Sequence, residues 1–217
     1  AWPRSARRGA PAARAAGAER LSSRTIEPAG VEGGGEMART FVLTVSDGVV
    51  AGTRRDESGL HLAARRAELG HAVERGLVQD AEAAIAAAVR TAVAGGHDLV
   101  ILTGGTGLTS RDVTPQAVRP LLDYEAPGFG ELMRAAGARS TPLAALSRSF
   151  GGVIGRALVV AVPGSPRGAL ESLEALVPIL PHALETLGDV SSGHRSGGAA
   201  PAAAEDGEGS ASEGPEG

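Results

Sequence analysis

Between residues 37 and 188 the chain switches repeatedly between two hydrophobic rhythms. "TFVLTV" (40–45) is a short apolar, β-branched run that stops at Ser46-Asp47-Gly48 and predicts a buried strand. "SGLHLAARRAEL" (58–69) places Leu60, Ala63, Ala64 and Ala67 at helical spacing and ends on Gly70, a helix stop. "AVERGLV" (72–78) predicts a second strand, weakened by Gly76. The stretch from Asp80 to Gly96 predicts a helix, with Asp80 as N-cap and Gly95-Gly96 as its end. "DLVILT" (98–103) is a third strand, and a helix is expected near 129–137. In "LAALSRSFGGVIGRALVVAV" two strand-like runs flank "FGGVIGR", which predicts a hairpin at one sheet edge. A last helix over 167–187 carries Pro178 and Pro181, expected to kink it. Strands alternating with helices predict an α/β fold, a three-layer α/β/α sandwich with a mostly parallel sheet and one edge hairpin.

Composition adds limits to that pattern. Hydrophobic residues make up 42% of 217, enough for a core, but aromatics are only 2%, so the core is built from Ala, Val and Leu. All 21 basic residues are arginines, which removes lysine as a Schiff-base or phosphate ligand. There is no cysteine, so disulfides, thiolate metal sites and a cysteine nucleophile are excluded, and a reducing cytoplasm is permitted. A formal charge of −4 gives no support for nucleic-acid binding. No apolar run reaches the ~18 residues of a membrane span.

Three regions follow. Residues 1–36 are rich in Ala, Arg, Gly and Pro and are expected to form a disordered extension; the Gly-Gly-Gly-Glu before Met37, purine-rich in any codon choice of that type, suggests Met37 as the native start. Residues 37–189 form the folded domain. Residues 190–217 form an acidic Gly/Ser/Ala tail, too polar to offset the entropy of ordering.

Ligands of open parallel sheets bind beyond the carboxyl ends of the strands. Four such ends carry polar or glycine-rich turns here: "SDGVVAGTRRDESG", "VQDAE", "TGGTGLTSRD" and "PGSPRG". "TGGTG" (103–107) is neither a G-x-G-x-x-G fingerprint nor a Walker loop. It reads either as a tight turn or as main-chain N–H groups converging on an anion, with the Thr103 and Thr106 hydroxyls as further donors. Ser110, Arg111 and Asp112 directly after it favour the anion. Asp112 reads as a cap for "VTPQAVRPLL" with Pro115 in the first turn, or as a carboxylate for Mg²⁺. Asp80 has the same two readings. Ser165 between Pro163 and Pro166, and Ser147 with Arg148, are further anion candidates, the arginine for its bidentate fork. His61, His71, His97 and His182 are scattered and make no ligand pair.

"VSDGVVAGTRRDESG", "LTGGTGLTSRDVTPQAV", "PGFGELMR", "ALSRSFGGVIG" and "VPGSPRGALESL", in this order over Thr40 to Gly188, resemble the Mog/MoaB molybdopterin-binding family. The resemblance implies a molybdopterin adenylyltransferase of molybdenum cofactor biosynthesis, a transferase that uses ATP and molybdopterin with Mg²⁺ and releases pyrophosphate. It implies Asp80 and Asp112 as the catalytic and metal-binding carboxylates, and Gly104, Gly105, Thr106 and Gly107 as the phosphate loop. It also implies Ser147, Arg148, Pro163, Gly164 and Ser165 on the pterin side, with Ser46 and Asp47 at the same cleft. Arg111 and Arg148 then supply positive charge in place of lysine. A cytoplasmic homotrimer working with other molybdenum cofactor proteins is the implied setting, with no nucleic-acid or membrane partner. Rival readings within the resemblance are a non-catalytic pterin carrier, a nucleotide pyrophosphatase and a scaffold domain.

Overall fold

The computed structural model of the chain describes residues 24–26 and 38–188. In chain order the elements are β1 (Arg24–Ile26), β2 (Arg39–Val45), α1 (Asp47–Val50), α2 (Glu57–Glu68), β3 (Ala72–Val78), α3 (Glu82–Ala94), β4 (Leu99–Thr103), α4 (Thr114–Val118), β5 (Tyr124–Glu125), α5 (Pro127–Ala138), β6 (Phe150–Ile154), β7 (Ala157–Val162), α6 (Pro166–Leu176) and α7 (Leu180–Gly188). One sheet runs β1-β3-β2-β4-β7-β6-β5. Its centre, β3-β2-β4-β7, is parallel, and β1, β6 and β5 pair antiparallel at the two edges.

The period-2 alternation of the strands divides the core into two layers. Phe41, Leu43 and Val45 of β2, with Val100 and Leu102 of β4, face α3 through Ile85, Ala88 and Val89. Val42, Leu99, Ile101, Leu158 and Val160 face the other way, onto Leu62, Met133, Leu173 and Leu176. Both faces of the central strands are therefore dry, which is why they read as continuous apolar runs. Burying one such Leu or Val side chain contributes about 1.5–3 kcal/mol. The three-layer sandwich expected from the alternation is the observed one.

Several local expectations are corrected. The first arm of the hairpin is "FGGVI" itself, not "LAALS": Pro142–Leu146 forms a 3₁₀ turn instead. Glycine costs strand entropy, but Gly151 and Gly152 sit where a Cβ would strike Phe129 at 2.6 Å and Leu122 Cδ1 at 2.5 Å, so neighbouring side chains occupy their space. The last helix is two helices rather than one kinked one. Pro178 has no N–H to donate, and the chain turns through Val177–Ile179 before α7 starts. Arg24–Ile26 lie within the extension expected to lack structure and pair with the open edge of β3; the rest of 1–36 and the tail beyond 188 lie outside the described residues.

The buried face of α2 also differs. Leu60 is 48% exposed, whereas Gly59, Leu62, Ala63 and Arg66 turn inward. Gly59 sets this rotation, because a Cβ there would meet Asp56 at 2.6 Å and overlap the Thr44 hydroxyl. The cost is a buried Arg66, 2% exposed, whose Nε donates to Thr40 Oγ1 at 3.3 Å while one terminal nitrogen has no partner. Burial lowers the Arg66 pKa to about 10. Beside it, burial and then the Arg66 charge push His71 down to about 4 from an ordinary 6.5. A histidine with a depressed folded pKa takes up its proton more readily unfolded. Stability is thus complete above pH 6.5 and falls as the pH drops toward 4. We expect His71→Gln to flatten that part of a thermal-melt pH series; an unchanged slope would show that His71 does not carry it.

Candidate functional site

All four parallel strands deliver their carboxyl ends to one rim. β2 leads through Ser46 into α1, β3 through Gln79 to Asp80, β4 directly to Gly104, and β7 to Pro163. The connections from β2 and β4 leave in opposite directions, the arrangement that opens a crevice at a switch point. A cleft of about 1020 Å³ lies there, lined by Ser46, Asp80, Thr103 to Asp112, Ser147 and Pro163 to Pro166. The convergence predicted from the four loops is therefore realised. Two predicted site residues, Asp47 and Arg148, do not line the cleft.

The floor is the loop after β4. Gly104 adopts a φ of 104° and Gly105 a φ of 63°, conformations that L side chains avoid. A Cβ on Gly104 would overlap the Val45 carbonyl oxygen, and one on Gly105 the Thr114 hydroxyl. Gly164 packs on it from β7, 3.0 Å from its own notional Cβ to Gly104 Cα. The main chain can thus line the cleft without side chains in the way. Thr103 does not serve as an anion donor. Its hydroxyl is buried and donates to the Pro163 carbonyl at 2.9 Å, tying β4 to β7. Thr114 Oγ1 donates to the Gly104 carbonyl at 2.8 Å.

Arg148 holds this loop from behind. Its N–H donates to Thr106 O at 2.9 Å, its Nε to Gly107 O at 2.6 Å, and its NH2 to Asp112 O. The guanidinium fork is turned onto carbonyls rather than into the cleft, which corrects its expected role as a direct phosphate ligand. Asp112 is not the cap of α4, whose N-cap is Val113 without a side-chain bond. Its Oδ2 accepts instead from Thr109 N–H at 2.8 Å and Thr109 Oγ1 at 2.6 Å, closing the turn that carries Arg111. Partial burial opposes ionisation of Asp112. Bonds from the Thr109 hydroxyl and N–H and from the Gly107 N–H, with the Arg148 charge, outweigh it and hold its pKa below the ordinary 3.8.

Asp80 is likewise no cap: α3 is preceded by Ala81, again without a side-chain bond. Asp80 and Asp47 are locked to each other. Asp47 N–H donates to Asp80 Oδ2 at 2.9 Å, and Asp80 N–H donates to Asp47 Oδ1 at 3.0 Å. Arg111 reaches across from the loop after β4, with NH2 at 2.7 Å from Asp47 Oδ2 and 4.0 Å from Asp80 Oδ2. Ser46 and Ser165 cap α1 and α6 through Val49 N–H and Gly168 N–H, both at 3.3 Å, and Ser147 Oγ lies 2.7 Å from Ser149 Oγ.

Arg54, Arg55, Glu57, Ser58, Leu143 and Leu146 also line the cleft and were not singled out from the sequence. The first four lie inside "SDGVVAGTRRDESG", so the motif pointed at them without resolving them. The two leucines belong to the unexpected 3₁₀ turn and carry no local signal. Asp56 anchors the whole stretch: it accepts from Thr44 Oγ1 at 2.9 Å and Gly59 N–H at 3.0 Å, and pairs with Arg75. A second cavity of about 210 Å³ adjoins at Ser147, Pro163 and Ser165 and extends toward Arg134 and Glu171. No cluster of three or more His, Asp or Glu side chains poised for a metal occurs among the described residues. The carboxylates of Asp80, after β3, and Asp112, in the loop after β4, line the cleft and offer oxygen donors, a hard set that suits Mg²⁺ together with phosphates and water. No helix among the described residues is long and apolar enough to cross a membrane.

A doubly wound α/β sandwich with a glycine loop and carboxylates at one crevice defines the class of protein. Residues 41–182 match the family described as the probable molybdopterin binding domain, and the chain belongs to that family. It is 42% identical over 159 residues to the molybdenum cofactor biosynthesis bifunctional protein of Synechococcus elongatus, covering 70% of this chain and 49% of that one. It is 36% identical over 162 residues to the molybdopterin adenylyltransferase of Pyrococcus furiosus, covering 69% of this chain and 95% of that protein. The solved molybdopterin biosynthesis enzyme MoaB of Thermus thermophilus superposes with a TM-score of 0.63 at 49% identity, covering 70% of this chain and 96% of that one. The chain spans about half the length of several curated relatives it matches.

Proposed function

We propose that the chain is a molybdopterin adenylyltransferase, in which a phosphate oxygen of molybdopterin attacks the α-phosphorus of ATP and pyrophosphate leaves. The observation that carries this reading is the joining of the glycine loop 104–107 with the carboxylates of Asp80 and Asp112 in one strand-end cleft. The adenylyltransferase name of the Pyrococcus furiosus relative, matched along 95% of its length, supports it. Phosphoryl-type transfers are catalysed mainly by positioning and charge stabilisation, so a site without lysine, cysteine or paired histidines is adequate. Gly104 to Gly107 would bind phosphate oxygens through the main chain. Arg54, Arg55 and Arg111 would bring positive charge to the polyphosphate, and Arg148 would keep the loop in shape. The pterin would lie toward Ser147 and Pro163 to Ser165, where the second cavity continues. Asp80 and Asp112 would hold Mg²⁺, which when bound offsets charge on the phosphates.

The same reading places the protein in the cytoplasm as a homotrimer, alongside other molybdenum cofactor proteins. Its test is ATP-dependent pyrophosphate release with molybdopterin, repeated without Mg²⁺. We expect release only with all three components. A wild-type protein that binds molybdopterin but releases no pyrophosphate would instead mark a pterin carrier.

A further inference from the structure

Asp47 and Asp80 sit at the ends of two adjacent strands, and each spends one carboxylate oxygen on the main-chain N–H of the other. This reciprocal lock fixes two negative side chains next to each other, with Asp80 lining the cleft and Asp47 just outside it. Like charges held this closely need a cation, and Arg111 is the one supplied by the fold, at 2.7 Å and 4.0 Å. Its support is otherwise slight. The Arg111 side chain is 70% exposed, and its ion partners among the described residues are these two aspartates alone. An exposed ion pair of this kind is weak and exchangeable. Its backbone, by contrast, is well fixed, because Asp112 and Thr109 close the turn and Arg148 clamps it.

A weakly held guanidinium on a firmly held backbone can change partners by side-chain rotation alone. We propose that Arg111 is a resident counter-ion for the Asp47–Asp80 pair in the nucleotide-free protein, displaced when the divalent cation that Asp80 and Asp112 would hold enters with substrate. The guanidinium freed by the exchange turns to an anionic oxygen of the nucleotide, for which its donor fork is suited. Arg111 and the cation therefore compete in the absence of nucleotide and cooperate in its presence. Arg111 is in this sense a positioning residue for Asp47 and Asp80. The inference rests on the proposed adenylyl-transfer site but can be tested apart from it.

The experiment is Mn²⁺ binding to the full, nucleotide-free chain, followed by electron paramagnetic resonance. With the competitor removed, Arg111→Gln is expected to bind Mn²⁺ roughly threefold to fivefold more tightly than wild type, the range of an exposed ion pair. Arg111→Lys, which keeps the charge, is expected to return the affinity toward the wild-type value. In turnover, Arg111→Gln is expected to raise KM for ATP more than it lowers kcat. Equal or weaker Mn²⁺ binding by Arg111→Gln, or no detectable binding by either protein, overturns the counter-ion role; so does an Arg111→Lys variant indistinguishable from Arg111→Gln. Tighter Mn²⁺ binding in Arg111→Gln, with no pyrophosphate released by wild type, leaves this inference standing and removes the adenylyltransferase reading.

Discussion

Asp112→Asn is expected to lower the rate of adenylyl transfer by about 10²–10³-fold, the scale seen when one preorganised electrostatic group is removed. Asparagine keeps the shape of the side chain and one acceptor oxygen for Thr109 N–H and Oγ1, so the turn carrying Arg111 should survive. What disappears is the negative charge facing the cleft. The loss should fall on kcat, with molybdopterin binding retained, since the pterin side lies at Ser147 and Pro163 to Ser165. Single-turnover adenylylation beside a direct pterin-binding measurement checks this; an Asp112→Asn enzyme with wild-type turnover would remove Asp112 from the chemistry. The acid limb has a defined sign. Because the folded pKa of Asp112 is depressed, its contribution to the loop is complete above pH 3.8 and is lost only as the pH falls through the lower folded value. The rate profile should therefore show no titration of this group near neutrality.

Gly104→Ala is expected to cost about 2–6 kcal/mol of stability, combining strained backbone at about 1–3 with a comparable steric penalty. The φ of 104° is one that alanine rarely adopts, and the new methyl group would overlap the Val45 carbonyl oxygen at the end of β2. Neither neighbour can retreat. Val45 is in the central ladder, and Gly164 packs against the other side of Gly104. At roughly 2–4 °C per kcal/mol for a domain of this size, the melting temperature should fall by at least several degrees. Nucleotide binding should fail as well, because a shifted Gly104 moves the loop that lines the cleft. Gly128→Ala, at a position where a Cβ meets nothing within 4 Å, is the matched control and should change the melting temperature little. A Gly104→Ala protein that melts like wild type would show the turn to be more pliant than its packing implies.

Much of this site was legible in the chain because its parts are local. A β-branched run followed by glycine and aspartate states where a buried strand ends, and parallel topology sends such ends to one rim. That is why Ser46, Asp80, the 103–107 loop, Asp112 and Pro163 to Ser165 could be placed at a common cleft. The misassigned details share a different origin. Asp80 and Asp112 have the type and position of helix caps, yet both helices start without them. Their carboxylates are taken by groups brought near through the fold, the Asp47 N–H for Asp80, or by a turn closed within the loop, Thr109 for Asp112. Arg148 has the chemistry of a phosphate ligand, but two carbonyls of a loop some forty residues away claim its fork. Leu60 lost its core position to Arg66 because Gly59 of α2 must pass close to Thr44 of β2.

The sequence by itself determined the central alternation of strands and helices, the sandwich class and the rim on which the cleft lies, since these follow from hydrophobic period and from turn residues at strand ends. Only the tertiary structure decided which partner each polar group takes. A carboxylate or guanidinium has several competent partners of similar strength, and the choice among them depends on distances of a few tenths of an ångström between segments far apart in the chain. Arg111 between Asp47 and Asp80 is the clearest instance: three charges that follow three different strands, 33 and 64 residues apart in sequence, that only the assembled sheet brings together.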